Sequence, residues 1–182
     1  DTEFIGGYNL SHTDNQDQLR KITHYHPFRD LPLRNRWLKN KLVVASRTLL
    51  SICGLRRRPQ VLINGVRRDI YFGSDYWAIT LDCARYVKKV LDTNPALVRY
   101  FRTTFVPSEM CIQTIVYNSS FGTRAQLYKG SFPGLVRLTP LHYLYYKGSV
   151  KALTMDDWKV IQESGKMFCR KVVSNVSDSL MN

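Results

Sequence analysis

Apolar positions along this chain recur at two spacings, one helical and one alternating, and they mark out its elements. The most regular helical series is Leu38, Leu42, Ala45, Leu49 and Ile52, which predicts a helix over Leu33–Cys53 stopped by Gly54. Its polar side is basic, and Arg56-Arg57-Arg58 follows it. The expected arrangement is a surface helix resting its apolar face on the core, with contact to a membrane or nucleic acid as the other reading. Before it, residues 1–13 read as an extended segment and loop, and Asp14–His24 as a short helix capped by Asp14. After it, Val61-Leu-Ile-Asn-Gly-Val-Arg67 predicts a hairpin turning on Asn64-Gly65. Gly73–Thr80 reads as a strand, with Thr80 or Asp82 capping a helix through Ala84, Val87, Val90 and Leu91. Asn94-Pro95 ends that helix and starts another over Ala96–Arg102. Phe105-Val106 predicts a short strand, and Pro107-Ser108-Glu109 opens a helix carrying Met110, Ile112, Ile115 and Val116 inward. Val136–Tyr145 predicts a buried strand. Leu153–Asp157 is a capped helix start, Gly165 its end, and Met167–Val173 follows.

Strands alternating with helices give an α/β class, a mixed sheet flanked by helices. The strand signals are too few for a complete doubly wound sheet, so the chain reads as part of a larger fold. Residues 1–174 form one unit and 175–182 a tail.

Composition narrows the partners. The 182 residues are 44% hydrophobic and 23% charged, a globular balance. No apolar run approaches the ~20 residues that span a bilayer. The net charge of +13 favours anionic partners: nucleic acid, phospholipid or a phosphorylated substrate. The four cysteines contain no Cys-x-x-Cys pair, which argues against a zinc site, and Cys83, Cys111 and Cys169 sit in apolar contexts that suit core residues.

Glu109 is the first candidate for chemistry. An acid at a helix start is accounted for by the positive end of the helix dipole. Its apolar neighbours Met110, Cys111 and Ile112 add a second reading, because desolvation lifts a carboxyl towards the range where it serves as a base. Arg170-Lys171, with Lys166 close by, suits either a diphosphate or a solvated basic surface. There is no Asp-x-Asp, no Gly-x-Gly-x-x-Gly and no Walker loop, and the histidines show no metal-like spacing.

Four segments, in order, resemble one family. They are Glu3-Phe-Ile with the basic Arg20–Tyr25, Gly73-Ser-Asp-Tyr-Trp-Ala-Ile-Thr80, Val106-Pro-Ser-Glu-Met-Cys-Ile-Gln-Thr114, and Gly165-Lys-Met-Phe-Cys-Arg-Lys171. Together they are similar to the branching β-1,6-N-acetylglucosaminyltransferases (core-2 and I-branching enzymes, related to peptide O-xylosyltransferases), with a compact C-terminus closer to bacterial members. Ser108 stands where that family has Asp, and Val172 where it has Phe.

The resemblance implies the C-terminal portion of a GT-A-type fold and an inverting, metal-independent transfer of N-acetylglucosamine, or another sugar, from a UDP-sugar to a saccharide acceptor. It makes Glu109 the general base and places Lys171, with Arg170, on the donor diphosphate. Lys151 and Lys147 lie near a second diphosphate position, and Arg20, Ser74 and Trp77 near the acceptor. No cofactor, metal or nucleic acid is expected; peripheral association with a membrane is. The family's N-terminal half, which forms most of the nucleotide pocket, has no counterpart here, so this chain alone is expected to be inactive. The resemblance implies a cytoplasmic or inner-membrane-peripheral location in a bacterium and the Golgi lumen in a eukaryote. Apart from the resemblance, charge alone allows a basic nucleic-acid-binding or membrane-binding module.

Overall fold

A computed structural model describes residues 2–28 and 32–181, apart from the side chain of Lys147. It is a mixed α/β protein whose small sheets are flanked by helices. The central sheet has three strands in the order β4 (Tyr71–Phe72), β1 (Gly6–Asn9), β5 (Gln126–Tyr128), with β1 antiparallel to β4 and parallel to β5. Helix α5 (Cys111–Tyr117) packs on β1 and β4, α3 (Leu81–Thr93) on α5, and α4 (Pro95–Arg102) on α3 and on the strand Gln60–Ile63. One core joins Ile5, Tyr8 and Phe72 of the sheet region to Cys83, Val87 and Val90 of α3, Leu97 of α4, and Ile115 and Val116 of α5. Each such side chain contributes about 1.5–3 kcal/mol by leaving water.

Local chemistry explains most element ends. Thr80 caps α3, its hydroxyl accepting from the Cys83 N–H (3.3 Å). Pro95 occupies the first turn of α4, where its missing N–H costs nothing. The hairpin β2 (Gln60–Ile63) and β3 (Val66–Asp69) turns on Asn64 (φ 50°) and Gly65 (φ 77°), both left-handed as a two-residue turn requires. Thr154 and Asp157 form a reciprocal capping box before α6 (Trp158–Glu163), and Gly165 (φ 63°) closes it.

Other expectations need correction. Helix α1 spans Gln16–Thr23 and is capped by Asn15, not Asp14, because the Asn15 carboxamide reaches the N–H groups of Asp17 and Gln18. Gly73–Thr80 is not a strand: the Ser74 hydroxyl accepts from the Tyr76 N–H (3.1 Å) and bends the chain, leaving only the Phe4–Ala78 bridge. Phe105-Val106 is not a strand either, since Val106 is left-handed (φ 50°) at the entry to a 3-10 turn over Pro107–Glu109. Only His142–Leu144 of the long apolar run is a strand, β6, and it pairs in parallel with β9 (Phe168–Arg170). The preceding residues turn instead, with Leu138 N–H on Gly134 O. Two residues each make the hairpin of β7 (Tyr146–Lys147) and β8 (Ser149–Val150). Near the C-terminus, Ser177 is buried and donates to Leu153 O (2.5 Å), just ahead of α7 (Asp178–Met181).

The largest correction concerns α2 (Arg36–Ile52). Asn35 caps it, so it begins three residues later than the expected Leu33; Gly54 follows it as expected, but no residue of this helix is buried. Leu38, Leu42, Leu49 and Ile52 are exposed. Lys39, Val43, Ser46, Leu50 and Ser51, away from that stripe, are the half-buried positions. Among the described residues no helix is long and apolar enough to cross a membrane.

Candidate functional site

Glu109 closes the 3-10 turn ahead of α5, and the segment 71–76 is stitched to that helix. The Gly73 N–H donates to Glu109 O (2.8 Å), the Gln113 amide to Ser74 O (2.6 Å), and the Tyr71 N–H to the Thr114 hydroxyl (3.0 Å). Gly73 is required by close approach: a Cβ there would stand 2.1 Å from Gly6 O and 2.9 Å from the Gln113 side chain. Strand β1, the loop after β4 and α5 therefore meet at one point, and Glu109 sits on it.

Its carboxylate is half-buried. Burial pushes its pKa above the ordinary carboxylate range; the Lys21 ammonium pulls it back and Asp75 adds to the rise. Lys21, from α1, faces the same balance in reverse, lowered by burial and supported by Glu109, with its Nζ 4.5 Å over the Phe72 ring. Burial thus outweighs mutual attraction for both groups, and each is pushed towards its neutral form. A carboxyl so placed is suited to taking up a proton nearer neutrality than a solvated one. Neither Lys21 nor Asp75 was singled out by sequence reasoning; Lys21 was hidden in the basic run beside Arg20, and Asp75 within the Gly-Ser-x-aromatic motif.

Lys21 also lines a cavity of about 630 Å³ between α1 and α2, together with Arg20, His24, Arg47, Arg56 and Phe105. Glu109 is not on its wall; Lys21 connects the two. The cavity is strongly cationic. Burial lowers the pKa of His24, and Arg56, Arg20 and Arg47 lower it further. Arg20 keeps a 3.6 Å contact with Asp17 one turn back.

The other expected residues divide. Arg170 lies 4.7 Å over the Tyr76 ring, which also packs against His142, so the closing basic motif meets the loop that carries Gly73 and Asp75. Lys171 is exposed; its backbone is fixed by Lys151 O (3.4 Å) and the Leu153 N–H (2.8 Å). Lys151 is engaged by both carboxylate oxygens of Asp157 (2.7 and 2.9 Å), which raises its pKa. The Lys147 side chain lies outside the described residues. Ser74 is buried within its turn, and Trp77 packs on the core rather than projecting into a cleft. Lys166, beside the motif, donates to Thr139 O (3.1 Å) and Pro140 O (2.8 Å).

Among the described residues no three His, Cys, Asp or Glu side chains gather as metal ligands. Compared with known proteins, the chain matches no family model and no curated protein.

Proposed function

We propose that this chain is the acceptor and catalytic part of an inverting, metal-independent glycosyltransferase of GT-A type, with Glu109 as its general base. The observation that carries the reading is the setting of Glu109: a half-buried carboxylate, raised by burial, held at a junction of three elements and faced by one cation. The ordered family-like segments supply the reaction class. In it, Glu109 accepts the proton of an acceptor hydroxyl while that oxygen bonds to the anomeric carbon of a UDP-sugar. The bond from that carbon to the diphosphate breaks, UDP leaves with the electron pair, and the configuration inverts. Arg170 and Lys171 stabilise the charge gathering on the diphosphate. The saccharide acceptor approaches from the cavity that holds Arg20. Most of the nucleotide pocket belongs to residues outside these 182, so activity is a property of the full-length protein.

The test is transfer and donor hydrolysis by the full-length protein, offered UDP-N-acetylglucosamine and UDP-xylose, with Glu109→Gln beside the parent. Loss of a general base costs about 10²–10⁴-fold in rate, and UDP affinity is expected to hold. The folded pKa of Glu109 is raised, so its neutral form favours the fold and that contribution is lost as pH rises through the folded pKa. A neutral glutamine is therefore expected to leave the protein at least as stable at neutral pH. Undiminished transfer by this variant removes Glu109 from the mechanism and overturns the reading.

A further inference from the structure

Helix α2 is the least explained part of the molecule. It is 17 residues long and buries none of them. At about 100° per residue, Leu38, Leu42, Ala45, Leu49 and Ile52 fall within about 80° of arc. Leu49 is 62% and Ile52 78% exposed, and Trp37, at the N-terminal edge of the stripe, is 67% exposed. Leu55 extends the apolar surface past the helix end. A surface of this kind needs a cover, and the charge around it says which.

Residues 32–60 contain eight Lys and Arg and no Asp or Glu. Arg57 is held inside the protein, donating to Tyr100 O (2.7 Å) and His24 O (2.9 Å) between the rings of Tyr25 and Tyr100. Arg47 and Arg56 line the cavity against α1, and Lys39 is half-buried on the packed side. Lys41 borders the stripe, about 20° outside its arc, with its Nζ 5.4 Å over the Trp37 ring. The centre of a protein interface is depleted of charge, above all of lysine. Lysine and arginine stems instead lie along an apolar surface while their heads reach anionic headgroups, and tryptophan prefers the same boundary. An amphipathic helix of low net hydrophobicity with a cationic polar side belongs in the interface plane of a bilayer.

From this juxtaposition we infer that α2 docks the protein onto an anionic lipid surface, with Trp37, Leu42, Leu49 and Ile52 in the acyl boundary and Lys41, with the exposed Arg34, Arg36 and Arg58 of this acid-free segment, drawn to the headgroups. The inference stands independently of the glycosyltransferase reading, since it needs neither Glu109 nor a donor.

The test uses the full-length protein with phosphatidylcholine vesicles, with and without phosphatidylglycerol, read by co-sedimentation and tryptophan emission. Binding to the anionic vesicles is expected to exceed binding to neutral ones at least about tenfold and to fall with added salt, because headgroup attraction is screened. The triple variant Leu42→Asn, Leu49→Asn, Ile52→Asn keeps every cation and is expected to lose that binding with its circular dichroism unchanged. Trp37→Phe is expected to keep the binding and lose the blue shift, which assigns the shift to this residue and not to Trp77 or Trp158. Undiminished binding by the triple variant overturns the inference in favour of charge alone. Absence of binding to either vesicle overturns it too. So does a stripe protected from solvent in the vesicle-free protein, whether by a second copy or by another part of the chain. Because no donor or acceptor enters the assay, its failure leaves the catalytic reading intact, and loss of transfer in Glu109→Gln leaves the membrane reading intact.

Discussion

Helices α3 and α2 both carry regular apolar spacing and both begin at a side-chain cap, Thr80 in one and Asn35 in the other. Yet α3 buries Cys83, Val87 and Val90 in the common core, whereas α2 buries nothing. Around α3, the neighbouring segments are tied to the fold from outside the helix: buried Glu3 accepts from the Thr80 N–H and hydroxyl (2.7 Å each) and pairs with Arg124 (3.1 Å). Among the described residues the hydrogen bonds of α2 and its ends are local, running only between Asn35 and Leu55. Periodicity specifies that a helix has an apolar face; it does not specify what covers that face.

That contrast can be tested at four strengths. The largest expected change after the loss of the base is Gly73→Ala, on the stitched side of the molecule. The added methyl meets main chain at Gly6 O and the buried Gln113, so the variant is expected to lose about 3 kcal/mol in urea unfolding. Next, Val90→Ala in α3, at 3% exposure, is expected to cost about 2 kcal/mol through the cavity it leaves.

Third is the pH dependence of the proposed reaction. Glu109 works deprotonated, so the acid limb of kcat/KM is expected above the ordinary carboxylate range. Asp75→Asn removes a charge that raises the Glu109 pKa and moves the limb to lower pH; Lys21→Met removes one that lowers it and moves the limb to higher pH. Shifts in the same direction would show that the two groups do not act on Glu109 through charge. The smallest effect is Leu49→Ala in α2, expected within about 0.5 kcal/mol. A loss as large as that of Val90→Ala would mean that α2 is packed in the free protein, and the comparison would fail.

Much of the local structure was legible in the residues. The Asn64-Gly65 hairpin, the Thr80 cap, the Pro95 helix start, the Thr154–Asp157 box and the Gly165 stop each rest on chemistry acting within a few residues. The expected strands at Gly73–Thr80 and Phe105-Val106 failed for the opposite reason. Their backbone is claimed by distant partners, Glu109 O for the Gly73 N–H and Lys21 O for the Phe105 N–H (3.4 Å), and these override alternating hydrophobicity. Of the candidate site, Glu109 stood out as an acid in an apolar setting and Arg170 as part of a basic motif. Lys21 and Asp75 did not, because one is 88 residues and the other 34 residues from Glu109 along the chain.

By itself, then, the sequence determined which segments become helices and turns, the mixed α/β class and the cationic balance, and it marked Glu109 as an acid in an apolar setting. The tertiary structure alone decided that Lys21 and Asp75 tune Glu109, that Arg170 meets the loop beside it, that Lys151 is engaged by Asp157, and that the apolar stripe of α2 faces outward. Caps and turn signals act over one or two turns of chain. Desolvation, charge coupling and the covering of a face depend on segments that only folding brings together.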